Sequence, residues 1–295
     1  MISLSANRLA LGTVQFGMNY GIANQYGQVT KRVVKNMLEL ACLNGIDTLD
    51  TAISYGNSES CLGEVGTKGF KVVTKLQAIP NKCDNISIWV KKQVFESIER
   101  LGVSSLYGLL LHRSDDLLKP YGEMLFSVLM SLKADGLVQK IGISIYEPSE
   151  LDELIPKYKF DIVQAPFNLI DNRLSNSGWL KKLKHNGVEI HTRSTFLQGL
   201  LLLNRSSIPL KFAKWSVLWD NWHHWLAEHI EITAVEACLA YPLSFSEIDR
   251  VIVGAESVYQ LDEIIKAVNL EKINILPDIY CKDKYLINPS YWHLL

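Results

Sequence analysis

Short runs of Val, Ile and Leu alternate along the chain with longer stretches in which apolar residues recur every three or four positions. The short runs are Leu9–Gly12, Ile46–Leu49, Lys71–Thr74, Leu106–Leu111, Val138–Ile143, Asp161–Gln164, Val188–His191 and Arg250–Val253. Each is about four to six residues long and apolar rather than alternating, the pattern of strands buried on both faces of a parallel sheet. The longer stretches read as amphipathic helices. Lys31–Leu43 gathers Val33, Val34, Met37, Leu38 and Ala41 on one face, and Ile88–Leu101 gathers Trp89, Val94, Ile98 and Leu101. Tyr121–Ala134, Glu150–Ile155, Leu174–His185 and Val258–Val268 follow the same scheme. Asn85 and Ser149 stand where helix N-caps are expected, and Gly45, Gly102, Gly136 and Gly187 where helices end.

Eight strand–helix units predict an α/β fold, a closed (β/α)8 TIM barrel in a single domain over residues 1–295. The structural rival is an open doubly wound sheet, which would carry G-x-G-x-x-G after the first strand. Gly12 and Gly17 have the wrong spacing for it, and Gly63 and Gly66 lie in a helical pattern. One stretch is less regular. It reads as an enlarged loop around residues 201–225 holding Trp215, Trp219, Trp222 and Trp225, followed by a helix through Cys238. A tail of mixed composition starts at about residue 270.

Composition narrows the function classes. The 295 residues hold 30 Lys and Arg against 31 Asp and Glu, for a net charge of -1. That balance argues against nucleic-acid partners, which call for a basic excess or a basic face. The apolar runs are far short of the roughly 20 residues of a membrane span, and no secretory leader is evident. Cys42, Cys61, Cys83, Cys238 and Cys281 are odd in number and form no CxxC pair, which points to free thiols in a reducing, cytoplasmic setting. No metal site is expected. Trp222-His223-His224-Trp225, with His229 further on, invites one, but adjacent histidines point about 100° apart on a helix. The run Lys181-Lys182-Leu183-Lys184-His185 reads as a solvated helix face.

In a barrel, chemistry gathers where strands end and loops begin. Those positions hold Asp50, Tyr55, Lys75 and His112, from three consecutive units. Singly, each has a bland reading: a cap, a loop aromatic, a solvated lysine, a core histidine. Together they suit acid–base work at a carbonyl oxygen. A free phenol has a pKa of about 10 and donates poorly at neutral pH. A neighbouring ammonium is expected to lower it, a carboxylate to neutralise that ammonium, and an imidazole to orient the oxygen.

The chain resembles the aldo-keto reductases. The segments that carry the resemblance are Leu11–Gly17, Gly45–Glu59, Val73–Lys75, Leu109–Asp115, Lys140–Ser144, Val163–Asn168 and Val251–Ala255, in family order over nearly the whole chain. The resemblance implies a barrel with NADPH or NADH laid across its mouth, and hydride transfer to or from a small carbonyl or alcohol substrate. It assigns Tyr55 as general acid/base, Lys75 as its pKa-lowering neighbour, Asp50 as the partner of Lys75, and His112 as the orienting group. It places Ser144 and Gln164 at the nicotinamide carboxamide and brings the backbone of Gly12 and Thr13 near the cofactor. Gly254, Ser257, Gln260 and Glu263 fall at its adenosine end.

Three departures stand out. The family often has Ser-Asn where this chain has Ser144-Ile145. After the seventh strand the family often has an aromatic that stacks on the nicotinamide, followed by Ser-Pro-Leu. Here the run is Arg193-Ser194-Thr195-Phe196, so Arg193 is a candidate to stack or to contact a phosphate, and Ser194 is retained. Basic residues that would hold a 2′-phosphate are replaced by Glu256-Ser-Val-Tyr-Gln260, which weakens the usual NADPH preference and admits NADH. The tryptophans of the irregular loop are compatible with a sugar derivative or an aromatic aldehyde as substrate. The sequence assigns no oligomeric state. Two other readings compete: a nucleotide-binding regulatory or partner-binding scaffold with little turnover, and cofactor-free proton transfer such as isomerisation.

Overall fold

The computed structural model describes residues 6–268 and 276–295, so the expected start of the tail at about residue 270 lies outside the described residues. Eight strands close into a barrel in sequence order. They are β1 (Leu9–Gly12), β2 (Thr48–Asp50), β3 (Lys71–Leu76), β4 (Leu106–Leu111), β5 (Val138–Ser144), β6 (Ile162–Pro166), β7 (Glu189–Arg193) and β8 (Arg250–Gly254). Every neighbouring pair is parallel, and β1 closes on β8 through Leu9↔Val251 to Gly12↔Gly254. The barrel expected from the sequence is therefore the observed fold.

Six of the eight strands, all but β1 and β4, run one or two residues further at their C-terminal ends than their apolar runs suggest. Lys75, Ser144 and Arg193 are strand residues, paired with Leu110, Gln164 and Pro166. An apolar run reports side-chain burial in fat, whereas the ladder is made by backbone groups that any residue supplies. Polar side chains that point into the barrel mouth therefore end the run before they end the strand.

Two apolar regions hold the molecule together. Outward residues such as Leu11, Leu49, Leu109, Ile143 and Val163 belong to one large cluster with helix residues such as Val34, Val94 and Leu129. Inside the barrel a small cluster of Val73, Leu110 and Ile162 forms a separate plug. Below it, Tyr107 Oη donates to Glu189 at 2.8 Å, and Lys140 Nζ donates to Tyr107 Oη at 2.8 Å. His191 Nε2 lies 2.8 Å from the same carboxylate. These polar groups sit at the N-terminal end, where barrel residues serve stability rather than chemistry.

Helices α1 (Lys31–Leu43), α2 (Ser58–Val65), α3 (Ile86–Leu101), α4 (Gly122–Ala134) and α5 (Glu150–Leu154) follow β1 to β5. Asn85 caps α3 as expected, accepting from Ile88 N at 3.0 Å. Ser149 does not cap α5. Its backbone is already helical, and Glu150 Oε1 instead accepts from Tyr146 N and Glu147 N, both at 2.7 Å. The stretch Leu174–His185 is not one helix: Gly178, at φ 78°, separates a single turn at Arg173–Asn176 from α6 (Trp179–His185).

The irregular region is also corrected. Its loop consists of short turns that end at Trp215, and α7 (Ser216–Glu228) begins there. A separate α8 (Ala234–Leu243) starts at a capping box between Thr233 and Glu236. A final α9 (Val258–Lys266) follows β8. Trp219 and Trp222 are fully buried and Trp215 and Trp225 nearly so, so these rings are packing. His223 places both ring nitrogens against carbonyl oxygens, Trp219 O at 2.7 Å and Leu203 O at 3.0 Å. Among the described residues no group of His, Cys, Asp or Glu could hold a metal, and no helix is long and apolar enough to cross a membrane. All five cysteines are free thiols.

Candidate active site

The C-terminal ends of the strands open into one cavity of about 680 Å³. Asp50 ends β2, Lys75 lies one residue before the end of β3, and His112 directly follows β4. Tyr55 sits in the β2–α2 loop. Two glycines hold that loop against the β1 loop. A Cβ on Gly17 would lie 1.8 Å from Tyr55 O, and one on Gly56 would lie 2.3 Å from Gly17 O. Gly56 also has φ 57°, a conformation that costs other residues strain. Without these close approaches the phenol would stand away from the barrel mouth.

Asp50 and Lys75 are almost fully buried and form an ion pair of 2.6 Å. Lys75 Nζ also donates to Thr51 O at 2.8 Å. The other oxygen of Asp50 accepts from Gln164 Nε2 at 2.7 Å, and Ser144 Oγ donates to Gln164 Oε1 at 3.3 Å. A chain of fixed polar groups thus crosses the barrel from β3 to β5. Lys75 Nζ lies 5.0 Å from the centre of the Tyr55 ring. The Tyr55 and His112 rings meet edge to face, 5.8 Å apart. His112 Nδ1 lies 3.1 Å from Ser54 Oγ.

The electrostatics differ from the expectation in one respect. Lys75 was expected to lower the pKa of the Tyr55 phenol; here burial, followed by the Asp50 charge, pushes it above its ordinary value, with Arg193 opposing. The ammonium is neutralised at close range by Asp50, so little of its charge reaches the phenol. Burial also holds Lys75 below the ordinary ammonium value, against the pull of Asp50. His112 is lowered to about 4, first by burial and then by the charges of Lys75 and Arg193. At neutral pH the site therefore holds a protonated phenol, a neutral imidazole and a buried ion pair.

Of the residues singled out from the sequence, Asp50, Tyr55 and His112 line the cavity, as do Gly12, Thr13, Ser144, Gln164, Arg193, Ser194, Gly254, Gln260 and Glu263. Two do not. Lys75 lies beneath the wall, behind Asp50. Ser257 accepts from Gln260 N at 3.2 Å and so caps α9. Gln260 is itself engaged, its Oε1 accepting from Glu256 N at 2.7 Å. Arg193 stacks on a protein ring, that of Tyr146, with 4.5 Å to the centroid. None of the tryptophans lines the cavity, which removes the basis for expecting them to stack on a sugar or an aromatic aldehyde.

The sequence reading missed several lining residues. Tyr20 brings a second phenol whose pKa burial raises, and Gln198 Nε2 donates to its hydroxyl at 3.1 Å. Tyr146 and Ser54 were unmarked because loops carry no periodicity; only their place just after β5 and β2 could have found them. Gln15 also lines the cavity, and its buried Oε1 has no hydrogen-bond partner among the described residues. An orphaned acceptor in the wall of such a cavity is the kind of atom that a bound molecule satisfies.

Comparison with known proteins agrees with this geometry. The Aldo/keto reductase family model matches residues 8–275. The chain is 24% identical over 272 residues to the uncharacterized oxidoreductase YqkF of Bacillus subtilis, covering 82% of this chain and 84% of that one. It is 26% identical over 310 aligned positions to L-galactose dehydrogenase of Arabidopsis thaliana, covering 97% and 94%. Among solved structures, the holo form of the aldo-keto reductase AKR11C1 from Bacillus halodurans superposes with a TM-score of 0.71 at 18% identity, over 90% of this chain and 88% of that one. With the barrel closed in the expected order and the family model matched over nearly its whole length, the chain belongs to the aldo/keto reductase family.

Proposed function

We propose that the protein is a nicotinamide-dependent oxidoreductase that interconverts a small carbonyl compound and its alcohol, with Tyr55 as general acid/base. The observation that carries the reading is the convergence of Asp50, Tyr55 and His112 on one cavity, with Lys75 paired directly behind. The cleft suits a dinucleotide. Ser144 Oγ and Gln164 face it from fixed positions suited to an amide, and the orphaned Gln15 Oε1 awaits a donor. Gly12 and Gly254 bring bare backbone to its floor, and Gln260 and Glu263 line the end near α9. When bound, the nicotinamide would supply or accept a hydride, one proton with two electrons, at the substrate carbon.

The chain's own residues supply the proton and the orientation. A phenol kept protonated by burial can donate to a carbonyl oxygen as negative charge develops on it. His112, neutral and tethered to Ser54, is placed to hydrogen-bond the same oxygen. The Asp50–Lys75 pair holds the floor rigid. The phenol enters reduction already protonated, whereas oxidation needs its phenolate; its raised pKa also makes it a weaker donor, a cost that the charge developing on the substrate oxygen must offset.

The scaffold reading rested on the altered cofactor segments and on the tryptophan-rich loop, and the rings of that loop are core. The first test is consumption of reduced nicotinamide against a panel of aldehydes and ketones. It is combined with calorimetric titration of NADPH and NADH. Among the described residues Arg193 is the one Lys or Arg in the cavity lining, and Glu256 and Glu263 line the end near α9. NADH is therefore expected to bind within about tenfold of NADPH, a gap of about 1.4 kcal/mol. A larger gap in favour of NADPH would contradict the reading of that end. No binding of either dinucleotide would overturn the proposed activity.

Proton accounting gives a second expectation. Because the folded His112 charges only near pH 4, log kcat/KM should show no inflection near 6.5 between pH 5 and 9. An inflection there that vanishes in His112→Asn would mean that the imidazole titrates in the working range.

A further inference from the structure

We propose that Arg193 is an anion-recognising residue of the substrate pocket, and that the preferred carbonyl substrate carries a carboxylate. The inference rests on the oxidoreductase reading above and adds the class of substrate. It starts from how this protein treats its other partly buried arginines. Arg100 pairs with Glu59 at 2.7 Å, Arg173 with Asp171 at 2.7 Å, and Arg250 with Asp47 at 3.2 Å. Arg8 has no such pair but spends its fork on the carbonyl oxygens of Leu243, Phe245 and Ile248, at 2.6–3.2 Å.

Arg193 follows neither course. Its contacts are all neutral: Ile145 O at 3.0 Å, Ser194 Oγ at 3.3 Å and the Tyr146 ring. Among the described residues no carboxylate lies within ion-pair distance of it. Of a guanidinium's five N–H groups, two are used. The stacking and the single carbonyl bond hold the plane still while leaving donors open to the cavity.

Charge around it is uneven. Asp50, the carboxylate at the reacting end, is committed to Lys75 and Gln164. The phenols of Tyr20 and Tyr55 are held protonated and the imidazole neutral. Arg193 therefore leaves this end with a net positive charge. Its bond to Ile145 O and its stacking on Tyr146 hold it just beyond the end of β5, and its charge is felt at Tyr55 and His112, the reacting end. A fixed cation in a cleft concentrates anions, and a guanidinium reads the two oxygens of a carboxylate together. A phosphate of the dinucleotide offers the same chemistry, and the experiment separates the two sources.

The test compares 4-oxobutanoate with its methyl ester as substrates, for the full chain and for Arg193→Met and Arg193→Lys. In wild type, kcat/KM is expected to favour the acid by at least about tenfold, or about 1.4 kcal/mol. Arg193→Met should bring the ratio near one, and Arg193→Lys should keep part of the preference. Using the ratio cancels any general loss of activity. Calorimetry on the same variants measures NADPH affinity and the affinity of succinate, a non-reacting carboxylate, for the dinucleotide complex. Succinate should bind wild type and bind Arg193→Met at least about tenfold more weakly. An unchanged ratio, or a loss of NADPH affinity with succinate binding retained, would overturn the proposal, the latter assigning the guanidinium to the dinucleotide. Arg193-dependent succinate binding without turnover of any carbonyl would sustain the anion site and overturn the oxidoreductase reading instead.

Discussion

Tyr55→Phe is expected to lower kcat by about 10²–10⁴-fold, the usual share of one general acid, while dinucleotide affinity stays within about twofold. The change removes one oxygen and keeps the ring, so the edge-to-face contact with His112 and the approach of Lys75 survive. The Gly17–Gly56 contact that sets the loop is backbone and is untouched. Steady-state rates with a good aldehyde, together with calorimetry on the reduced dinucleotide, check both halves. A variant that turns over within about threefold of wild type would mean that the proton comes from elsewhere, with Tyr20 the next phenol in the same cavity.

Lys75→Met should damage folding as well as rate. The ammonium is 1% exposed at its side chain and its partner carboxylate 6%, so the substitution leaves Asp50 buried, charged and facing only Gln164. Breaking a buried pair from one side costs about 3–5 kcal/mol. Chemical denaturation should show a loss of that size, with an unchanged denaturant slope. Adding Asp50→Asn removes the stranded charge while keeping an acceptor for Gln164. The double variant should therefore recover most of the loss, to within about 2 kcal/mol of wild type, because the two sites are directly coupled. A single variant that loses less than about 1 kcal/mol would mean that the carboxylate finds another way to be neutralised. Activity should stay low in both variants, since neither keeps the fixed floor beneath the phenol.

Much of the fold was legible because burial on both faces of a parallel strand leaves a plain apolar run. The errors are equally physical. The runs stopped short at Lys75, Ser144 and Arg193 because polar side chains, Ser144 and Arg193 in the mouth and Lys75 paired with Asp50 beneath it, end the apolar pattern while their backbones still pair. Gly178 broke an expected helix by adopting φ 78°, which periodicity does not encode. The tryptophans of α7 looked like a binding surface, but they fill the space under that helix, with Trp222 Nε1 donating to Leu201 O at 3.0 Å. In the site, strand ends named Asp50, Lys75 and His112. Tyr20 and Tyr146 come from loops and Gln15 from the single helical turn Val14–Gly17 after β1, so no periodicity marked them before folding.

From its sequence alone this chain is a barrel of eight strand–helix units with a carboxylate, a phenol, an ammonium and an imidazole at neighbouring strand ends. Local patterning suffices for that, since each unit's periodicity is written within some thirty residues. The tertiary structure alone decided that the phenol's pKa rises rather than falls, that Ser257 serves a helix cap, and that Arg193 has no carboxylate partner among the described residues. Those properties depend on which groups far apart in the chain come within a few ångströms, and on how much water is excluded between them.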